Sequence, residues 1–332
     1  MSIQKTNKPL FFIISLCALA LIVFSIIKFV LIERDSECIR TLDTSVLIPH
    51  DSIISPENTD NVMAYIYNAP ESVNDKRYEY HWEILKTALE KTKNKYGPYL
   101  MKRAQTMTEK RQLFELSNDA QALTVMFLDT KPDFEKKLLA IHIPVDKNLC
   151  GYRVLLIRKE DQKKFEDIKE LKDLKKMCIG LGYGWIDVDI LRSNKFNVMT
   201  GSNYEGLFKM LVNKRFDAFS RSAVEVLDEY EERKENLKTL KIEDSLLLYY
   251  PLPMYFWFSK KEKGKLLAQR AHEGMEIMLK DGTYDRIFLK FHGAKTEKLH
   301  LKKRRIFKIT NPYLVAETPF QDKRLWYNPI DN

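Results

Sequence analysis

Short apolar runs alternate with amphipathic segments between Lys176 and Arg221, and the alternation predicts a βαβαβ unit. The apolar runs have the length of buried strands, and the segments between them space their apolar residues as a helix does. Because each helix carries the chain back to the start of the next strand, this order is typical of a parallel sheet. The predicted strands are Met177–Gly180, Phe196–Met199 and Phe216–Ser220, and the predicted helices are Ile186–Leu191 and Tyr204–Leu211.

Glycine-rich and polar residues follow these strands. Ligands bind beyond the carboxyl ends of the strands in parallel sheets, and a helix N-terminus there offers unpaired N–H groups with partial positive charge. The loop before Ile186 therefore predicts a site for an anionic group. Ser202 and Glu205 also form an S-x-x-E capping box for the second helix. The ligand-binding residues predicted from this unit are Gly182, Tyr183, Gly184, Trp185, Ser202 and Arg221.

Some of these residues also have a purely structural explanation. Gly182 and Gly184 are equally expected where a strand turns tightly into a helix. Arg221 follows an apolar strand, so its guanidinium needs either an anionic ligand or an internal carboxylate. Glu205 and Glu225 are the candidates for that carboxylate that lie near in the sequence. Both explanations stay open from the sequence.

Further apolar runs and amphipathic segments stand on both sides of this unit and predict an α/β protein. The charged run Lys159–Lys176 is predicted to be a solvated connector with a helix, and the tail Lys295–Lys308 is basic. The other predicted strands are Val62–Tyr67, Tyr99–Ala104, Ala122–Phe127, Leu138–Val145, Tyr152–Arg158, Leu246–Tyr250 and Met254–Ser259. The other predicted helices are Tyr80–Lys95, Thr108–Leu116, Ala223–Lys234 and Lys265–Lys280.

An uncharged apolar segment near the N-terminus predicts a membrane anchor. It runs from Leu10 to Ile27 and continues past Lys28 to Ile32. At ~1.5 Å per residue its first part covers roughly 27 Å, which is enough to cross the hydrocarbon core of a bilayer. No small-x-small cleavage site follows it, so we expect an uncleaved anchor rather than a removed signal peptide.

Composition adds the size and the broad class of the protein. The chain has 332 residues, 45% of them hydrophobic and 30% charged, which describes a globular body large enough for two domains. The formal net charge of +9 is spread along the sequence and no nucleic-acid-binding motif accompanies it. We therefore expect no nucleic-acid partner.

Cysteine and histidine residues show no pattern of a metal or cofactor site. Outside the apolar segment the cysteines are Cys38, Cys150 and Cys178, without C-x-x-C spacing. They are predicted to be free thiols, with a Cys150–Cys178 disulfide as the alternative. The six histidines form no H-E-x-x-H motif, and the chain has neither a G-x-S-x-G elbow nor a P-loop. No metal, cofactor or catalytic residue is predicted.

Several local strings, in their order from about Val62 to Tyr327, resemble one family. Extracellular solute-binding proteins of family 3, the amino-acid-binding type, are similar at Asp173–Lys176, Gly180–Trp185, Lys214–Ala218 and Lys280–Phe288. A bacterial subgroup of substrate-binding-domain proteins of unknown ligand is similar at Gly201–Phe208, Tyr249–Pro251 and parts of the segment from Asn311 to Tyr327.

The resemblance implies the type II periplasmic-binding-protein fold, in which two α/β lobes joined by a hinge close on a ligand between them. Tyr249 would lie near a hinge crossing and Tyr67 at the end of the first strand, so both join the predicted ligand-binding residues. The implied division is a tail at 1–9, a transmembrane anchor at 10–32, a spacer at 33–61, lobe 1 at 62–145 plus 248–332, and lobe 2 at 148–247.

Two departures from the family pattern change the expected ligand. Phe134 stands where the family has the arginine that holds the ligand carboxylate, and a phenyl ring cannot form that bidentate bond. Arg221 stands about where the family has the acidic residue that holds an α-amino group. A zwitterionic amino acid is therefore disfavoured, and a small anionic ligand is favoured.

Together these observations predict a solute-binding protein rather than an enzyme. It would be a single-pass protein of the bacterial inner membrane with its soluble part in the periplasm, or a secreted periplasmic protein if the N-terminus is cleaved. Its small-molecule ligand would be presented to a membrane transporter, such as an ABC transporter, or to a sensor. The alternatives are a degenerate member of the fold that acts as a protein-interaction module, and a dehydratase of the same fold.

Overall fold

The structure is a computed structural model, and it describes residues 62–70, 78–119 and 121–330. The predicted tail, anchor and spacer and Cys38 lie outside the described residues. Within the described ranges, no helix combines the length and the apolar composition that crossing a membrane requires. The division into two lobes stays a prediction, and the sheets are described below as they are found.

Strands and helices alternate along most of the described part, but the three strands between residues 240 and 259 follow one another directly. The strands are β1 (Met63–Tyr67), β2 (Tyr99–Arg103), β3 (Met126–Asp129), β4 (Leu138–Ile141), β5 (Tyr152–Arg158), β6 (Cys178–Gly182), β7 (Asn197–Gly201), β8 (Ala218–Ser222), β9 (Leu240–Ile242), β10 (Leu246–Tyr249), β11 (Met254–Ser259) and β12 (Arg305–Lys308). The helices are α1 (Glu79–Lys91), α2 (Lys93–Tyr96), α3 (Glu109–Ser117), α4 (Pro132–Lys137), α5 (Gln162–Glu166), α6 (Leu171–Leu174), α7 (Ile186–Ser193), α8 (Tyr204–Val212), α9 (Val226–Arg233), α10 (Glu262–Lys280) and α11 (Thr283–Lys298). Short 3₁₀-helices occur at Leu149–Gly151, Lys159–Asp161, Leu301–Lys303 and Lys323–Leu325.

A first layer of strands combines β1 and β2, which are parallel, with the antiparallel set β3, β11 and β4. The two sets meet at Ile66, whose carbonyl oxygen accepts a hydrogen bond from the backbone N–H of Thr124 at 2.9 Å. Helix α10 packs on β11, β4 and α1. The close approach of α10 to α1 requires Gly274, because a Cβ there would lie 2.0 Å from the carbonyl oxygen of Ala88.

A second, seven-stranded sheet has the order β12-β10-β5-β8-β6-β7, with β9 paired to β5. Strands β8, β6 and β7 are mutually parallel, so the predicted βαβαβ unit is confirmed. Each of these strands starts one or two residues later than predicted and ends two residues later. Strand β5 is buried along its whole length, because strands flank it and helices α8 and α9 pack against it.

Residues 142–151 and 250–253 connect the two layers. Asn148 joins these segments: its Oδ1 accepts a hydrogen bond from the backbone N–H of Leu252 at 2.7 Å, and its Nδ2 donates to the Tyr249 hydroxyl at 3.4 Å. Gly151 is needed beside it, because a Cβ there would lie 2.3 Å from the carbonyl oxygen of Tyr250. The two connections therefore form one packed unit.

The chain passes between the layers again after α11. Strand β12 pairs in parallel with β10, so residues within 248–332 contribute a strand to the seven-stranded sheet. The segment beyond it then bonds to both connections: Asn311 Nδ2 donates to the carbonyl oxygen of Pro251 at 2.9 Å, and the N–H of Tyr327 donates to the carbonyl oxygen of Lys147 at 2.9 Å. We call residues 309–327 the return segment.

Three sequence predictions differ from the structure. The capping box is wrong: the N-cap of α8 is Asn203, whose Oδ1 accepts from the N–H of Gly206 at 2.7 Å. The predicted strand over residues 122–127 is displaced, because the ladder with β11 runs through Asp129. Cys150 and Cys178 are free thiols, so the alternative of a disulfide between them is wrong.

Candidate functional site

Arg221, near the carboxyl end of β8, is 3% exposed and pairs with carboxylates of the chain itself. Its Nε donates to Glu229 Oε2 at 2.7 Å, and its Nη2 donates to Glu225 Oε2 at 2.9 Å. Burial by itself lowers the pKa of Arg221, but the two carboxylates raise it well above its usual range. The internal pairing is therefore the explanation that the structure shows, with Glu229 as a partner that the sequence did not indicate.

Aromatic rings surround the Arg221 guanidinium on its other sides. The Cζ atom of Arg221 lies 4.7 Å from the ring centroid of Trp185, 5.7 Å from that of Tyr204 and 5.2 Å from that of Phe219. Rings at this distance stabilise a cation through their π faces. Glu205, the other predicted partner, pairs with Arg233 instead. Arg221 is thus enclosed by protein groups and holds α9 against β8.

The predicted anion-binding loop makes contacts with other residues of the chain. A Cβ on Gly182 would lie 2.2 Å from the indole of Trp185, so this glycine makes room for a side chain of the chain itself. The N–H of Tyr183 donates to the carbonyl oxygen of Gly201 at 2.8 Å. Gly184 has a φ of 86°, a left-handed backbone conformation that the turn requires and that glycine adopts without steric cost. The structure therefore gives both glycines a structural explanation, the close packing of Trp185 for Gly182 and the turn for Gly184.

The N-terminal turn of α7 already carries a carboxylate. Asp187 is buried there; it accepts a hydrogen bond from the Tyr250 hydroxyl and forms an ion pair with Arg153, whose Nη2 lies 3.1 Å from its Oδ1. A carboxylate in this position offsets the partial positive charge of the helix N-terminus. Of the groups on which the anionic ligand was predicted, Arg221 is thus paired with Glu225 and Glu229, and the N-terminal turn of α7 carries Asp187.

The remaining predicted site residues are dispersed. Ser202 is exposed at the end of β7, and Tyr183 is 75% exposed. Tyr67 lies at the end of β1, with its ring centroid 4.6 Å from that of Trp82 on α1. Tyr249 packs on Tyr152 beside the connections, with the ring centroids 4.7 Å apart. The structure brings Gly182, Trp185 and Arg221 together, and it places Tyr67 on the other layer.

Phe134 belongs to α4 and packs edge-on against Trp257, with the ring centroids 6.0 Å apart. The ammonium of Lys131 lies 5.3 Å from the Phe134 ring centroid. The phenyl ring thus has a packing role on β11, where the resemblance would place an arginine directed at a ligand.

Asp129, the last residue of β3, is the polar residue of this region that sequence reasoning missed. It is 7% exposed and pairs across the sheet with Met254, yet its Oδ2 has no hydrogen-bond partner among the described residues. Burial raises the pKa of Asp129 to about 7; Lys131 lowers it, and Glu109 and Asp187 raise it further. A carboxylate directly after an apolar strand run was the signal in the sequence.

Asp129 and Asp187 both lie beside the connection at 250–253: Asp129 pairs with Met254, and Asp187 accepts a hydrogen bond from the Tyr250 hydroxyl. Asp129 ends β3 of the first layer, and Asp187 begins α7 at the carboxyl end of β6 in the second. The carboxyl ends of strands from both layers thus meet next to the connections, as expected for a ligand cleft. No group of three or more His, Cys, Asp or Glu residues in the described ranges is arranged to hold a metal ion.

Of the comparisons with known proteins, only the one with solved structures bears on the fold. No protein-family model matches the sequence, and no curated protein matches it either. Solved structures do match, among them an ancestral arginine-binding protein bound to arginine, with 18% identity, 70% of this chain and 99% of that chain covered, and a TM-score of 0.50.

Two further solved structures match to the same extent. One is a histidine kinase sensor domain with similarity to periplasmic binding proteins, with 14% identity, 70% and 98% coverage of this chain and that chain, and a TM-score of 0.50. The other comes from work on glutathione import via GshT and the cystine ABC importer of Streptococcus mutans, with 15% identity, 70% and 95% coverage, and a TM-score of 0.50. The chain therefore has the type II periplasmic-binding-protein fold, and the predicted fold is confirmed for the described residues.

Proposed function

We propose that the chain is a solute-binding protein that closes two lobes on a small molecule and presents it to a partner. One observation carries the proposal: the carboxyl end of β3 and the first turn of α7 both lie beside the connection at 250–253, because Asp129 pairs with Met254 and Asp187 accepts a hydrogen bond from the residue that begins this connection. A hinge at these connections would open and close the gap between those strand ends.

We further propose that the segment 10–32 anchors the protein in the bacterial inner membrane, with the described part in the periplasm. Its partner is then a membrane transporter or a sensor. The basis is the apolar segment in the sequence together with two matching structures, one from work on a cystine ABC importer and one a histidine kinase sensor domain. The proposal does not rely on Arg221 or on the loop from Gly182 to Trp185, because these groups are bonded within the chain.

Thermal unfolding of the full chain in detergent, with and without solutes, tests the binding function. The panel holds amino acids, small anions, amines and short peptides. A bound solute at 100 times its dissociation constant adds about 2.7 kcal/mol to the free energy of unfolding. If no member of a broad panel raises the melting temperature, the solute-binding proposal is wrong.

A protein-interaction module is the second candidate, and one observation favours it. The return segment bonds to both connections, through Asn311 to Pro251 and through Tyr327 to Lys147, which restricts the movement that ligand entry needs. Cross-linking in intact membranes distinguishes the candidates: a module would yield a stable protein adduct, together with a melting temperature that no solute changes.

A further inference from the structure

Exposed basic residues are concentrated in one stretch near the C-terminus, at the end of α11, in the turn after it and along β12. No aspartate or glutamate occurs between Glu297 and Glu317, and the stretch holds six lysine and arginine residues. One of them, Arg304, is buried and pairs with Glu243. The other five are exposed, and we call them the basic rim: Lys298, Lys302, Lys303, Arg305 and Lys308.

The fold holds the basic rim at a border of the seven-stranded sheet, because β12 is an edge strand of that sheet. Arg304 fixes the turn before β12 from the inside: its Nε donates to the carbonyl oxygen of Leu299 at 2.8 Å, and its Nη1 donates to that of Leu246 at 3.2 Å. Arg305 Nη1 donates to the carbonyl oxygen of Ile168 at 2.6 Å. Within the described ranges, the side chains of the four lysines of the rim form neither an ion pair nor a hydrogen bond.

Carboxylates of the chain do not neutralise the rim. Elsewhere on the surface a lysine often pairs with a carboxylate close in the sequence, as Lys163 does with Asp167 at 2.9 Å. The rim contains no carboxylate that could serve in this way. Asp244, which precedes β10, pairs with Lys241 at 3.0 Å, and Glu297 supplies one negative charge beside five positive ones. The potential at the rim is therefore positive, and it selects for a partner with many negative charges.

Protection of a sheet edge explains only part of this charge. Basic side chains on an edge strand hinder its pairing with another chain, and β2, the edge of the other layer, carries exposed Lys102 and Arg103 for the same reason. Lys298, Lys302 and Lys303 precede β12 and cannot protect its edge in this way. These three lysines require another explanation.

We propose that the basic rim rests on the anionic phospholipid surface of the membrane that holds the proposed anchor. This inference rests on the anchor at 10–32 in the proposed function, and it adds which part of the protein faces the lipid. A bilayer with anionic headgroups presents many negative charges in one plane. Each lysine or arginine close to such a surface adds to the attraction, which fades within a Debye length of about 10 Å.

The length of chain between the anchor and β1 permits this contact. Residues 33–61 reach at most about 95 Å at ~3.3 Å per residue, so the rim cannot move far from the headgroups. A tether of this kind raises the effective concentration of the lipid surface at the rim. The seven-stranded sheet is then the layer held at the membrane, and the layer with β3, β11 and β4 is the one free to move.

Lysine labelling of the full chain in nanodiscs tests the inference. The discs contain phosphatidylcholine alone or an equal mixture with phosphatidylglycerol, the reagent is an uncharged succinimidyl ester, and mass spectrometry gives the rate at each lysine. We expect the four lysines of the rim to react about three- to tenfold more slowly in the anionic discs, and the difference to vanish in about 1 M salt, where the Debye length is ~3 Å. Lys263, exposed on α10, should react equally in both kinds of disc.

Two double variants with the same change of charge sharpen the test. Lys302→Gln with Lys303→Gln should remove most of the slowing at the remaining lysines of the rim, because the attraction depends on the summed charge. Lys102→Gln with Arg103→Gln is the matched control: it removes two exposed basic residues from the edge strand of the other layer. We expect the slowing at the rim to persist in this control, and both double variants to keep the melting temperature of the unmodified chain.

The possible outcomes separate this inference from the proposed function. Equal labelling of the rim in the two kinds of disc overturns the inference, and so does slowing that is the same at Lys263. Protection of the rim in native membranes but not in protein-free lipid would assign it to a protein partner and overturn the inference as well. In each of these cases the anchor and solute binding stand. A chain that does not co-purify with either kind of disc overturns the proposed anchor together with the inference.

Discussion

The side chain of Asn148 and the backbone of Leu252 are joined by a hydrogen bond of 2.7 Å from the N–H of Leu252 to Oδ1. The bond links the two connections between the layers, and Asn148 makes it with a left-handed backbone, at a φ of 63°. Asparagine tolerates this conformation better than most residues. The connections thus depend on a residue that meets a backbone and a side-chain requirement at once.

Replacing Asn148 should separate these two requirements. Asn148→Ala loses the bond to Leu252 and adds backbone strain, so we expect a loss of about 1–3 kcal/mol in the free energy of unfolding. Asn148→Gly loses the bond without the strain and should be less destabilised than Asn148→Ala. Urea denaturation measures both, with the exposed Asn118→Ala as the control. Equal free energies of unfolding for the two Asn148 variants would show that backbone strain does not add to the loss of stability in Asn148→Ala.

Arg221 should prove to be a stabilising residue. Arg221→Met leaves Glu229 buried without its cation, and the expected loss is about 3–5 kcal/mol in the free energy of unfolding, measured by urea denaturation. The double variant Arg221→Met with Glu229→Leu should recover most of that loss, because it buries no unpaired charge. Unchanged stability in Arg221→Met, with weakened solute binding, would return Arg221 to the ligand site.

Glu205→Gln is the control for this experiment. It breaks an exposed ion pair to Arg233, and such pairs contribute about 0–1 kcal/mol. We therefore expect its free energy of unfolding to remain close to that of the unmodified chain.

Gly182 should tolerate no side chain while Trp185 is present. The added methyl group of Gly182→Ala would overlap the indole, so we expect a loss of about 1–3 kcal/mol from overpacking. In a background of Trp185→Leu the same glycine substitution should cost less. Tryptophan fluorescence and urea denaturation follow the displacement and its cost. If the penalty is the same in both backgrounds, the contact with Trp185 is not its cause.

Two buried histidines should make the protein sensitive to acid. Burial lowers the pKa of His292 to about 3 and that of His81 well below its usual range. Both imidazoles are therefore neutral in the fold and protonated in the unfolded chain below about pH 6.5, so the unfolded state binds more protons. Stability should fall as the pH is lowered from about 6.5 towards 3. His292→Phe should reduce this slope in thermal unfolding; an unchanged slope would contradict the assignment.

The sequence predicted elements best where the hydrophobic pattern is continuous. Strands β5 and β11 have the predicted bounds, because each contains an apolar run, at residues 154–157 and 254–258, whose residues are mostly buried on both faces. Helix α11 and strand β12 lie where no separate element was predicted. In β12 the apolar pair Ile306 and Phe307 lies between basic residues, and pairing with β10 supplies what the local pattern lacks.

The site depended on tertiary geometry that spacing does not encode. Arg221 required a partner, and the sequence offered Glu205 and Glu225. Glu229 pairs with Arg221 as well, because the first turn of α9 places its carboxylate beside the guanidinium on β8. Asp129 could have been recognised as a strand-end carboxylate, but its lack of a partner shows only once the layers are folded together.

The return segment bears on the order in which the protein is completed. Lys147 and Pro251 are synthesised well before Asn311 and Tyr327, which bond to them. A growing chain can thus pair most strands of both layers while the contacts between the connections and the return segment are still missing. Those contacts form only when residues 309–327 have left the ribosome, so fixing of the two connections is a late step in biogenesis.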